Sequence, residues 1–304
     1  MKTRILFTTF LLCVIASASM ADEQKALLDS VITETYPSGK TKVEYSYNIN
    51  GTMQFDIKSI WKTNAWSQIS KNDYTYDVYN RILITITSRM NPYTSSFVPS
   101  TKYEYAYNDK GDQILCTEYM WDTDHWSTSQ RKKSSYTYDT NGRLVSSIDT
   151  TFISENVWSQ IWKSVLIYDD KEMLLCKETY QWNAPSETWS KVTKSSYTYD
   201  ADDNLILIMG TNWNETETDW VNSTQEELTY DANGYLLTKI LSFWTTENSW
   251  QQFDKNYYYY HNFNTALNQL EVSHEPKSTK LLRDGQLFIL RDGKTYTVTG
   301  QEVK

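Results

Sequence analysis

Pairs of tryptophans separated by a short polar gap are the residues of this chain best suited to a chemical role. The gap reads as a turn, as in DTDH between Trp121 and Trp126. Aromatic faces that meet solvent suit sugar rings, and polar side chains beside them supply hydrogen bonds. The spacing therefore predicts a row of polysaccharide-binding positions, formed by Trp121, Trp126, Trp182, Trp189, Trp213, Trp220, Trp244 and Trp250.

A second interpretation of the same rings is structural. The chain has 12 tryptophans and 24 tyrosines, and buried aromatic rings that pack on one another can replace an aliphatic core. The protein would then be an adhesin-like scaffold that recognises a surface protein through a concave sheet face. Exposed coplanar rings would favour a glycan ligand and buried rings a scaffold, and the sequence leaves both open.

Catalytic chemistry has less support. Two of the many carboxylates could stand at the separation used by glycoside hydrolases, but acidic residues occur in the gap of nearly every repeat, as turn solvation requires. We therefore predict a non-catalytic protein, with no catalytic residue. The carboxylates considered are Asp122, Asp124, Glu187, Glu215, Glu217, Asp219 and Glu247.

Metal and cofactor sites are also not predicted. The three histidines, His125, His261 and His274, do not form metal-spaced pairs. The Asp139 to Gly142 stretch has the oxygen ligands of a calcium loop without its bidentate glutamate. Cys116 and Cys176 are expected to be free, buried thiols.

The elements that position these residues repeat with a fixed period. A tyrosine followed by Asp or Asn returns every 29 to 31 residues, which is typical of a repeat architecture. Glycine follows in four copies, and Asn80, Glu172 and Asn204 stand at or near its place in the others. We call these the anchor tyrosines: Tyr47, Tyr76, Tyr107, Tyr138, Tyr168, Tyr199 and Tyr230, with a last copy at Tyr260, which is followed by His261.

Each anchor motif predicts the end of a strand, a hairpin turn and the start of the next strand. The Asp side chain caps the turn, and Gly or Asn accepts positive φ. Tyr, Thr, Val, Ile and Ser alternate with period two between the turns, which indicates strands. The predicted fold is therefore all-β: an antiparallel up-and-down meander of about eight hairpin repeats, as a curved or spiral single sheet or a large barrel.

The two ends differ from the repeats. Residues 1–21 predict a signal peptide, with early cations, a short apolar run and small residues before the cleavage region. The repeat domain is assigned to residues 22–264, a linker to 265–279, and a small β-module with Asp-Gly turns to 280–304. No other window is long and apolar enough to predict a transmembrane segment.

Charge limits the range of partners. The chain has a net charge of -9, which disfavours nucleic acid. The expected partner is a polysaccharide or a surface protein, and the expected location is outside the cell or on its outer surface.

Two family resemblances follow from these motifs. The stretch from Tyr136 to Leu144, YTYDTNGRL, resembles the YD repeat of Rhs and teneurin-type shells, which implies a spiral β-sheet. The tail GQLFILRDGKTY and GQEVK is similar to sorting modules of secreted Bacteroidetes proteins. Together with the leader and the aromatic repeats, it resembles an uncharacterised family of secreted repeat proteins from gut Bacteroidetes, which implies export but no activity.

Overall fold

The computed structural model describes residues 26–154, 157–262, 278–283, 286–291, 294–297 and 302–303. The predicted signal peptide, most of the predicted linker and the Asp284-Gly285 and Asp292-Gly293 turns lie outside these residues. Two compact units are distinguished. Residues 27–261 form the larger unit, and the described C-terminal strands belong to the other.

The larger unit is an antiparallel meander of sixteen strands. Each strand pairs with the next along the chain, and most are nine to twelve residues long. The strands are β1 (Ala26–Thr35), β2 (Gly39–Tyr47), β3 (Met53–Lys62), β4 (Ala65–Tyr76), β5 (Ile82–Asn91), β6 (Ser96–Tyr107), β7 (Gln113–Asp122), β8 (His125–Tyr138), β9 (Leu144–Ser154), β10 (Val157–Tyr168), β11 (Leu174–Asn183), β12 (Thr188–Tyr199), β13 (Leu205–Asn214), β14 (Asp219–Tyr230), β15 (Leu236–Trp244) and β16 (Trp250–Asn262).

The meander closes on itself, because β1 lies beside β16 in the strand order. At this seam the Tyr36 amide donates to the Phe253 carbonyl at 2.7 Å, and the Thr33 hydroxyl donates to Asn256 Oδ1 at 2.7 Å. The prediction of an all-β antiparallel meander is confirmed. Of the two forms left open, a spiral sheet and a large barrel, the structure adopts the barrel.

The turn after each anchor tyrosine is built by its Asp or Asn. Asp139 Oδ1 accepts hydrogen bonds from the backbone amides of Asn141 and Arg143, both at 2.9 Å. Gly142 follows with φ +82°. Glycine adopts this left-handed conformation without the steric cost that other residues bear. These seven turns form one end of the barrel, and the Trp-bearing turns form the other.

The anchor tyrosines lie on the more enclosed face of the sheet. In β14, Glu226, Leu228 and Tyr230 are half-buried, whereas Glu227 and Thr229 between them are exposed. Burial raises the pKa of the phenols on this face, as at Tyr105 and Tyr197. In a closed barrel the enclosed face is the inner wall, so the alternating positions form the outer wall.

The barrel has no conventional apolar core. Among the described residues only two apolar side chains are buried, Val31 and Cys176. Most buried polar residues are Ser or Thr. Strand pairing and ring contacts therefore take the place of a conventional core.

The described part of the chain end forms a separate four-stranded antiparallel sheet in sequence order. Its strands are β17 (Ser278–Arg283), β18 (Gln286–Arg291), β19 (Lys294–Thr297) and β20 (Glu302–Val303). The domain boundaries given by the sequence, and the sorting role of this segment, stay predictions.

Candidate functional site

The four tryptophan pairs predicted to bind a ligand, and a fifth pair of the same kind, meet across hairpins of the barrel. In each pair the two residues are direct cross-strand partners next to the turn, as with Trp213 and Trp220 between β13 and β14. We call each such pair a clasp. The five clasps are Trp61 with Trp66, Trp121 with Trp126, Trp182 with Trp189, Trp213 with Trp220, and Trp244 with Trp250.

All five clasps lie on the outer wall. Trp213 stands five positions after Ile208, and Ile208 pairs with Tyr197 on the inner wall. An odd separation along a strand places two side chains on opposite faces. Trp182 likewise stands five positions after Lys177, which lies on the inner wall. The clasps therefore form a band around the outside of the barrel near one end, which we call the Trp rim.

Within each clasp the two rings meet edge to face. Their centroids lie 4.9 to 5.2 Å apart and their planes cross at 62° to 70°. This arrangement is favoured by the ring quadrupoles and contributes about 0.5–1.5 kcal/mol per pair beyond area burial. A clasp is thus a stabilising cross-strand contact, and its two rings are not coplanar.

Exposure of the clasps is intermediate between the two extremes that the sequence left open. Trp61 is 44% exposed, and the other nine clasp rings are half-buried. Each ring therefore contacts its partner and also presents part of its surface to solvent. Phe152 and Trp158 occupy the corresponding partner positions between β9 and β10.

Lysine ammonium groups lie beside several clasps. Lys42 Nζ is 5.2 Å from the centre of the Trp66 ring, and Lys191 Nζ is 4.4 Å from that of Trp213. Contacts of this kind are attractive because the face of an indole ring is electron-rich. The Trp rim therefore combines aromatic surface with positive charge.

This lysine pattern was missed by the sequence interpretation, although the sequence carries it. Lysine stands five residues before seven of the eight anchor tyrosines, and Gln225 is the exception. An odd offset from an inner-wall tyrosine places these side chains on the outer wall. The lysines are Lys42, Lys71, Lys102, Lys133, Lys163, Lys194 and Lys255.

The anchor tyrosines have an architectural role. The hydroxyl of Tyr107 donates to the carbonyl oxygen of Ile82 at 2.7 Å, and that of Tyr230 donates to Leu205 at 2.8 Å. Tyr47, Tyr168 and Tyr199 make the equivalent bond to the preceding strand. These bonds hold neighbouring strands together at the Asp-turn end, which explains why the tyrosine recurs.

The inner wall also carries a polar network around Asp56. Tyr74 and Asn72 donate to its carboxylate, and Thr87 donates to Asn72 Oδ1 at 2.7 Å. Burial raises the pKa of Asp56, and the two donated hydrogen bonds offset part of that effect. Burial likewise lowers the pKa of Lys177 on the same wall.

The carboxylates considered for catalysis lie in the turns beyond the Trp rim. All seven side chains, from Asp122 to Glu247, are exposed. His125 is also exposed, with Nδ1 3.0 Å from Asp124 Oδ1. Among the described residues no cluster of three His, Cys, Asp or Glu side chains could hold a metal ion.

The two remaining cysteines are both free, but they differ in burial. Cys176 is buried, whereas Cys116 is half-buried, so the expectation of two buried thiols is wrong for Cys116. Cys116 pairs with Tyr105 of the inner wall, and burial raises its pKa to about 11. A thiol with so high a pKa is a poor nucleophile.

Comparison with known proteins gives weak structural likenesses. No family model and no curated protein matches the chain. A porin-like protein from Bacteroides uniformis covers 77% of this chain and 96% of its own, with 12% identity and a TM-score of 0.48. A DUF3836 family protein from Bacteroides vulgatus covers 30% of this chain and 89% of its own, with 18% identity and a TM-score of 0.27.

A longer protein also shows partial similarity. TcdB2-TccC3 covers 87% of this chain and 17% of its own, with 11% identity and a TM-score of 0.32. These TM-scores are low, so the function has to be inferred from the residues of this chain. Within the described residues, no helix is both long and apolar enough to cross a membrane.

Proposed function

We propose that this protein is a non-catalytic, exported binding protein that holds polysaccharide on its Trp rim. The supporting observation is that the clasps all lie on the outer wall and keep part of each ring in solvent. Indole surface next to polar turns and ammonium groups is suited to stacking on sugar rings and to hydrogen bonding with their hydroxyls.

The outer wall supports this role better than the inner wall does. On the inner wall, the anchor hydroxyls already donate to backbone carbonyls. On the Trp rim, the polar groups of the turns are exposed, as at Glu215 and Glu217 between Trp213 and Trp220. A sugar chain on the rim would meet aromatic and polar groups together.

A protein-interaction scaffold is the second candidate, and the edge-to-face geometry of the clasps favours it. Rings that cross at 62° to 70° are partly used in contacting one another. If that contact is their whole role, the rim is structural and the partner is another protein. The predicted leader and the sorting-type tail support a location outside the cell for either version.

Titration of intrinsic tryptophan fluorescence with a panel of soluble polysaccharides tests the proposal. We expect a saturable shift that is lost in Trp213→Ala, because this residue contributes a ring to one clasp. Trp162→Phe is the matched control, since Trp162 pairs with Asp149 on the inner wall. A panel that produces no shift would contradict glycan binding and leave the scaffold.

A further inference from the structure

The lysines of the outer wall differ in whether a carboxylate forms an ion pair with them. In the early strands they are neutralised by an acid two residues later: Lys71 Nζ lies 2.5 Å from Asp73, and Lys102 Nζ lies 2.7 Å from Glu104. From β8 to β12 that second position holds Ser135, Val165 and Ser196 instead. The positive charge of this part of the wall is therefore not balanced in the same way.

One sector of the outer wall consequently has a net positive charge. Between the turns of β7 to β13, the described outer-wall side chains include five cations and one carboxylate, Glu178. Lys194 Nζ is 4.0 Å from Glu178, and the other four cations have no carboxylate within ion-pair distance among the described residues. We call the five cations the basic sector: Arg131, Lys133, Lys163, Lys191 and Lys194.

The basic sector is continuous with the Trp rim. Lys163 Nζ is 6.0 Å from the Trp189 ring centre, and Lys191 Nζ is 5.8 Å from that of Trp220. Clasps on neighbouring hairpins are two strands apart, which is about 10 Å across the sheet. Two ammonium groups of the basic sector therefore lie against clasp rings along one arc of the barrel.

We propose that this arc binds an acidic polysaccharide, with sugar rings on the clasps and carboxylate or sulfate groups on the basic sector. The inference rests on the proposed function and specifies its ligand class. Charge complementarity is the argument for this occupant, because the strand positions on one side of the clasps carry five cations and one carboxylate, whereas the exposed acids of the turns lie beyond the clasps on the other side. A sugar ring on a clasp can direct its carboxylate toward the ammonium groups that lie against the indole rings.

The spacing of the cations also disfavours a denser polyanion. Double-stranded DNA carries one charge per about 1.7 Å of its axis, whereas the five cations of the arc are spread over β8, β10 and β12, which lie two strands apart. The acidic remainder of the barrel would repel a long nucleic acid. An acidic polysaccharide can instead follow the arc alone.

Polygalacturonate and its fully methyl-esterified form provide a matched pair of probes. The two polymers share a backbone and differ in charge. We expect the full-length mature protein to bind polygalacturonate at least tenfold more tightly in isothermal titration, and to lose this preference as salt rises and screens exposed charges. Chondroitin sulfate tests whether sulfate substitutes for carboxylate.

Two double variants locate the effect. Lys163→Gln with Lys191→Gln should weaken polygalacturonate binding by about tenfold, the effect expected for two exposed charge contacts. Lys40→Gln with Lys71→Gln removes equal charge from lysines that Glu34 and Asp73 neutralise and should change affinity by less than about twofold. Unchanged thermal unfolding verifies that both variants fold.

The outcomes separate this inference from the proposed function. Equal binding of both polymers, or equal losses in the two double variants, would overturn the acidic ligand while leaving glycan binding in place. Binding only to neutral polysaccharides would do the same. Binding of a DNA oligonucleotide or of phosphatidylserine vesicles through the basic sector, with no acidic polysaccharide bound, would overturn the inference. Failure of every polysaccharide would overturn both.

Discussion

Asp56 illustrates, at the scale of a single residue, how the barrel accommodates a buried charge. Its side chain points to the inner wall and is 5% exposed, and its neighbours supply hydrogen bonds from Tyr74 and Asn72. A buried carboxylate without such donors would be far more costly. Because burial is the largest effect, the pKa of Asp56 is raised in the folded state above its ordinary value of 3.8.

This raised pKa predicts a specific pH dependence. An acid with a raised folded pKa binds its proton more tightly when folded, so its contribution to stability falls as pH rises from 3.8 through the folded value. Asp56→Asn has no charge to bury and should lack this loss. Relative to the wild type, the variant should therefore gain stability as pH rises through that window, by about 1.4 kcal/mol for each pH unit over which only the folded state is protonated.

Urea unfolding across pH 3 to 7 measures the effect. A constant offset between the two proteins is expected from the altered hydrogen bonds, so only the pH-dependent part is informative. Tyr74→Phe is a useful control, because it removes one donor to the ionised carboxylate and should raise the folded pKa of Asp56 further, so that the loss extends to higher pH. A stability difference that stays flat, or that shrinks as pH rises, would contradict the burial of an ionisable Asp56.

At the scale of the element, the Asp-turn is the best-determined unit of the molecule. Gly142 has φ +82° and its missing Cβ would meet no atom within 4 Å. The cost of a side chain there is therefore backbone strain alone. Gly142→Val should destabilise the protein by about 1–2 kcal/mol. Asn80 holds the corresponding place with φ 61°, so Gly142→Asn should cost less than half as much.

Chemical denaturation of the two Gly142 variants beside the wild type tests this turn. Equal stability of the Val and Asn variants would mean that the left-handed conformation is not needed at Gly142. Unchanged stability in both would count against the turn as a determinant of the fold.

The sequence predicted these elements well because their signals are local. The Asp cap, the glycine turn and the cross-strand tryptophans depend on residues within one hairpin, and the structure has them where the pattern places them. In the sixth turn, where Asn204 was expected at or near the glycine position, the left-handed residue is the adjacent Asp203, with φ 61°. Asn204 instead donates to Asp200 Oδ2 at 3.0 Å, so a side-chain hydrogen bond decides which of the two residues is left-handed.

Properties that depend on residues distant in the sequence were harder to predict from it. The period-two pattern places Lys163 and Trp189 on one face only after the registers of β10, β11 and β12 are known. The relative orientation of the two rings within a clasp depends on side-chain torsion angles, which the spacing of residues along the sequence does not determine. The site therefore followed from the sequence as a set of residues, whereas its edge-to-face geometry and its lysines needed the structure.

At the scale of the whole molecule, closure is what local patterns could not determine. A twisted meander of this width can coil openly or join its edges, and the choice rests on the seam between β1 and β16. There, Thr33 bonds to Asn256 across 223 residues of sequence. Closure removes both free edges and separates the outer wall, with its clasps and lysines, from the tyrosine-rich inner wall.

The most direct test of the account is hydroxyl-radical footprinting of the mature protein with and without polygalacturonate, read by mass spectrometry. The account predicts that the ligand protects Trp182, Trp189, Trp213 and Trp220 on the outer wall, while oxidation of Tyr105 and Tyr197 on the inner wall stays unchanged. Protection of the inner-wall tyrosines with no change at the clasps would contradict a binding surface on the Trp rim.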